Sequence, residues 1–190
     1  MRFDEFVAES GIAVLPGDQC PGCAIQVALP PGWVPFDSAP GVAVWVSQSD
    51  PLASEFCANA VLTVHRVQSV LDCGAVFMML AEQQLQSVPG CHERSRELTA
   101  AEEGSGIAGT LAMEFAHEFG ALDSICRSRI VAMDEETLIV QLTTSVLRDS
   151  PVVREPVRLV VRRDVPRDGG SDDQNRVAPA NTRPGRTSGR

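Results

Sequence analysis

Residues 106–146 read "GIAGTLAMEFAHEFGALDSICRSRIVAMDEETLIVQLTTSV". The period of this stretch decides the fold. In its first part Met113, Phe115, His117 and Phe119 alternate with Glu114 and Glu118. In its second part Ile125, Arg127, Arg129 and Val131 alternate with Cys126, Ser128, Ile130 and Ala132. A period of two is the signature of a strand with two different faces. "MDEET" is a polar turn into a third apolar run, "TLIVQLTTSV". Links this short cannot carry a parallel crossover, so the three strands form an antiparallel meander.

Upstream the period changes. In "VLDCGAVFMMLAEQQLQSVPG", Phe77, Leu80, Ala81 and Leu85 recur at helical spacing, and Pro89-Gly90 stops the run. This predicts an amphipathic helix over 71–87. "HERSREL" after it reads as a short, polar edge strand, and "GSGIAG" (104–109) as a turn that enters the meander. Before the helix, "AIQVAL" puts Ile25, Val27 and Leu29 on one face and ends at Pro30-Pro31-Gly32. "GVAVWVS" (41–47) and "ANAVLTVHRVQ" (58–68) are two further strands. "SPVVREPVRLVVRRDV" reads either as a final helix, with Pro156 in its first turn, or as a strand. The order β-β-β-α-β-β-β-β, with an open last element, gives an α+β sandwich in which one long helix lies between strands on a central antiparallel sheet.

Three segments follow. Residues 1–18 read as a loosely attached N-terminal segment and 19–163 as the α+β domain. From Asp164 the chain is rich in Gly, Pro, Ser and Asp and almost without apolar residues, so 164–190 is expected to be disordered. One domain of this length buries a core without disulfides or metals.

The chain carries 16 basic residues, all arginine, against 25 acids, for a net charge of −9. Such an acidic body repels phosphate backbones and anionic lipid, so nucleic acid and membrane surfaces are poor partners and a basic protein face is the better one. "MRFDEFVAESGIAV" lacks the charge and apolar pattern of a signal peptide, and no run approaches a membrane span. The expectation for the chain as written is a cytoplasmic protein that inserts in no membrane.

Of the six cysteines, Cys20 and Cys23 form Cys-Pro-Gly-Cys. A redox pair needs a thiol of lowered pKa, usually at a helix N-terminus, and this motif runs into a strand. A zinc site needs two more ligands. Cys91 and His92 are the candidates, though no spacing requires them. The simplest reading is loop thiols or a local bridge. His65 and His117 sit on strand faces, and alternation turns Glu114 and Glu118 away from the His117 ring. There is no nucleophile elbow, phosphate-cradling glycine loop or paired-histidine zinc motif. No catalytic residue and no cofactor is assigned, and the expectation is a protein that is not an enzyme.

Taken in order, "IQVALPPGW", "ANAVLTVHRV", the helix ending "LQSVPG", "GIAGTLAMEF" and "CRSRIVAMDEETLIVQLTTS" resemble the LpqN family of mycobacteria and related actinobacteria, over about residues 24–150. The resemblance implies a PsbP-like α-β-α sandwich and, from PsbP-like domains elsewhere, a role in docking on other proteins. It supplies no catalytic residues. Most relatives are envelope lipoproteins, so the resemblance implies an envelope location or non-classical export as the alternative to the cytoplasm. Here Gly17-Asp18-Gln19 precedes Cys20 in place of a small-apolar lipobox, and the absence of tyrosine removes the usual type VII export signal. Three functions remain: a protein-binding or adaptor domain, a thiol or metal-binding protein using Cys20 and Cys23, and a carrier of a small apolar ligand.

Overall fold

The structure, a computed structural model, describes residues 1–17, 22–154 and 157–163. Cys20, Pro156 and the tail from Asp164, expected to be disordered, lie outside the described residues.

The meander is present as read. Strands β6 (His92–Ala100), β7 (Ile107–His117), β8 (Gly120–Ala132) and β9 (Thr137–Leu147) follow helix α2 (Cys73–Ser87). Before α2 come helix α1 (Phe3–Ser10) and strands β1 (Val14–Pro16), β2 (Cys23–Ala28), β3 (Trp33–Ala39), β4 (Val42–Ser47) and β5 (Asn59–Val67). After β9, a 3-10 turn (Pro151–Arg154) leads to β10 (Arg158–Arg163), so the ambiguous last element is a strand.

The main sheet is antiparallel, in the order β3-β4-β5-β9-β8-β7-β6. β5 shares one edge between two partners: β4 pairs with its first half and β1 with Val67, Arg66 and His65. The handover is at Val64, whose N–H donates to the Gly41 carbonyl and whose carbonyl accepts from the Gly17 N–H. A Cβ at Gly41 would meet the Val64 oxygen at 2.8 Å, so a side chain there breaks the handover. β6 is the polar outer edge, as its composition predicts, and its alternating charges protect an open edge from stray pairing. The N-terminal segment is not loose: Phe3 is buried with Val67 and Val76.

Helix α2 starts where Asp72 accepts a hydrogen bond from the Ala75 N–H at 2.6 Å. It buries Val76, Phe77, Leu80 and Ala81 on the sheet. Three of these are expected from the periodicity, and the Phe77 ring lies on bare Gly109 of β7. Both helices cover one face, over Ile130 and Ile139. The other face carries a two-stranded ribbon, β10 paired with β2. There Leu159 and Val161 pack with Ile25, Val27 and Leu29 over Val131, Leu138, Val140 and Leu142. The α+β class and the central antiparallel sheet stand as expected. The second cover of the sandwich is this ribbon, where the family resemblance implies helix. β9 is apolar toward both layers because it is covered on both sides.

Candidate functional site: an arginine groove beside the ribbon

The ribbon is two strands wide and the sheet beneath it much wider, so cover stops partway across. Its margin falls on β8. Val131 lies under the ribbon, whereas Arg129 and Arg127, further along the same face, lie beside it. Across the sheet Arg129 pairs with Val140 and Arg127 with Leu142, both core residues. On the other side they pair with Ala108 and Thr110 of β7. These small residues leave a trough of about 380 Å³, with Thr99 on one side and Val157, Leu159, Val160 and the exposed Arg158 on the other. That volume is within the range of small-ligand sites.

Two rims bound the trough. One is the 101–106 turn between β6 and β7, carrying Glu102 and Glu103. The other is β10. They are tied at one end, where the Ser105 N–H donates to the Val161 carbonyl at 2.8 Å and the Arg163 N–H donates to Ser105 Oγ at 3.4 Å. Gly104, at φ 88°, allows this: a Cβ there would lie 2.1 Å from the Val161 oxygen. The trough is therefore closed at the turn and open toward Arg127.

The two floor arginines differ from the ion-paired arginines of the chain. Arg148 reaches Asp123 and Glu114, both at 2.6 Å. Arg96 reaches Glu93 at 2.6 Å and Glu82 at 2.9 Å. Arg127 and Arg129 form no ion pair among the described residues, in a chain with carboxylates to spare. Among the described residues, Arg127 Nη1 and Arg129 Nε are buried without any hydrogen-bond partner. Arg129 Nη1 makes only a long 3.4 Å bond to the Ser128 carbonyl. Burial pushes both guanidinium pKa values down; the like charge of Arg129 adds to this at Arg127, while Glu102 and Glu103 oppose it at Arg129. Buried donors are normally satisfied, and a guanidinium presents a planar fork suited to carboxylate or phosphate oxygens. Two of them half-buried in a concave site have the chemistry to receive an anion.

The residues singled out from the sequence lie elsewhere. Cys23 opens β2 on the ribbon face, where its thiol donates to Met133 Sδ at 3.6 Å. Cys91 packs on the helix face with Ala81, Leu111 and Met113, and burial pushes its thiol pKa up. His92 is exposed at the start of β6. The main sheet thus separates Cys23 from Cys91. Among the described residues no group of three or more His, Cys, Asp or Glu could hold a metal. His117 sits edge-on to Phe56, ring centroids 5.5 Å apart, and beside Phe119 at 5.4 Å. A recess bordered by Pro30, Trp33, Asp123, Ile125 and Arg127 holds about 40 Å³, and an apolar one beside Ile25, Val42, Leu62 and Val64 about 260 Å³. Among the described residues no helix is long and apolar enough to cross a membrane. The alternation of β8 showed that Arg127 and Arg129 share a face. The signal left unread was that both stand between Ile125 and Val131 on an otherwise apolar face.

No protein-family model matches the sequence, and no curated protein matches it. A solved structure does. LpqN of Mycobacterium tuberculosis, described as involved in cell envelope biogenesis, superposes with a TM-score of 0.65 over 84% of this chain and 98% of its own. The fold is LpqN-like. At 16% identity the likeness is one of fold. A Bacteroides thetaiotaomicron protein aligns with 66% of this chain and 39% of its own at 10% identity, with a TM-score of 0.38, too slight to argue from.

Proposed function

We propose that this protein is a non-catalytic binding domain, an adaptor whose arginine groove receives an anionic group presented by a protein partner. One observation carries the reading: among the described residues, two half-buried guanidinium groups keep buried N–H donors unpaired in a chain rich in carboxylates. An unpaired buried donor costs about 1–3 kcal/mol. A fold keeps such groups when something outside the chain supplies the acceptor. The net charge of −9 disfavours nucleic acid and anionic membrane as that source and favours a partner with its own basic surface around the anionic group. No cofactor is invoked. The fold likeness to a protein involved in cell envelope biogenesis supports a role in that process, on fold alone.

The test is calorimetric titration with inorganic phosphate at low ionic strength, using the wild-type chain and the Arg127→Met/Arg129→Met variant. Saturable binding by the wild type and none by the variant supports the reading. Equal binding by both, or binding by neither, refutes it.

A further inference from the structure

The arginines do not make the groove simply positive. Glu102 and Glu103 stand on its rim at the closed end, beside Arg129, and neither forms an ion pair among the described residues. Their negative charge acts on Arg129 and favours its charged form. Arg127, further along the same face from the turn, shares a small recess with Asp123, but that carboxylate is held by Arg148 at 2.6 Å. The trough therefore has a negative rim at the turn and positive groups elsewhere, Arg127 and Arg129 on its floor and the exposed Arg158 on the β10 rim, with Thr99 and Thr110 in the same rows as the floor arginines. A plain anion that enters meets the arginines and the repulsion of two carboxylates together. A ligand with a cationic group a few ångströms from its anionic group meets attraction at both places.

We propose that the groove selects a dipolar segment of its partner, a carboxylate with a neighbouring ammonium or guanidinium, over a simple anion of the same size. The carboxylate sits on Arg127 and Arg129 and the cation meets Glu102 and Glu103. This rests on the anion-receptor reading above and adds the polarity of the ligand to it. The closed turn end, fixed by the Ser105–Val161 hydrogen bond, sets the orientation: the cationic end lies toward the turn and the carboxylate toward open solvent.

The experiment compares two matched probes, 4-aminobutyrate and butyrate, which differ only in the ammonium group. Binding is read from amide chemical-shift titration of the wild type, of Glu102→Gln/Glu103→Gln and of Arg127→Met/Arg129→Met. Two partly exposed carboxylates together give a preference of about fivefold for the aminated probe. The glutamine variant loses that preference and binds butyrate more tightly than the wild type does. If butyrate binds through the arginines but the wild type shows no preference, the dipolar inference fails and the anion reading stands. A preference that survives in the glutamine variant also overturns it. If neither probe depends on Arg127 and Arg129, the anion reading itself fails.

Discussion

Replacing Arg127 and Arg129 together by methionine should stabilise the fold while abolishing anion binding. Methionine keeps most of each stem's volume and its contacts with the ribbon while removing the charge and the donors. What is lost is the cost of holding Arg127 Nη1 and Arg129 Nε out of water without acceptors among the described residues. An unpaired buried donor costs about 1–3 kcal/mol. The lower end applies here because both side chains keep contact with solvent through the groove, so the pair contributes about 2 kcal/mol. Among the described residues neither arginine has an ion pair to offset that gain, and the attraction of the rim carboxylates Glu102 and Glu103 for Arg129 is the small solvent-screened exception. For a chain of this size each kcal/mol moves the melting midpoint by about 2–4 °C, so the double variant should melt about 4–8 °C higher. Urea denaturation gives the same quantity independently, as a higher midpoint at unchanged slope. A variant less stable than the wild type by 1 kcal/mol or more would falsify the reasoning. It would mean that the guanidinium groups hold the ribbon to the sheet and are structural.

Three further outcomes follow from the same geometry. Gly109→Ala brings a Cβ to 2.3 Å from the Phe77 ring and should cost about 1–3 kcal/mol by overpacking; in a Phe77→Leu background most of that cost should vanish in a double-mutant cycle. Asp72→Ala removes the side-chain cap of α2 and should lower stability by about 1 kcal/mol in chemical denaturation. Burial lowers the His65 pKa from its ordinary value of 6.5, so the folded state binds its proton less readily than the unfolded state. Stability should therefore fall as pH drops below about 6.5, and His65→Gln should flatten that slope; an unchanged slope would remove His65 from the account.

The elements legible in the sequence were those whose periodicity is long and whose links are short. β7 and β8 alternate over eleven and thirteen residues, β9 is one continuous run of eleven, and α2 repeats an apolar face between Asp72 and Pro89. β3 was missed because Pro35 interrupts its pattern, and the structure places a bulge between Pro35 and Asp37. α1 and β1 are short, and what holds them is distant: Phe3 packs beside Val76 and Val14 pairs with Val67. The β5–β9 pairing joins strands on either side of α2 and the β6–β7 hairpin, a non-local choice that periodicity does not encode. The groove follows the same rule. That Arg127 and Arg129 share a face is local information. That the ribbon covers Val131 and leaves the arginines at its margin depends on where β10 docks.

The most direct test of the central claim is a nuclear magnetic resonance titration that follows the arginine Nε–H signals of the wild-type chain as inorganic phosphate is added. The account predicts saturable shifts at Arg127 and Arg129, with the carboxylate-paired Arg148 and Arg96 nearly unmoved. Shifts spread evenly over the arginines, or none at Arg127 and Arg129, would contradict it.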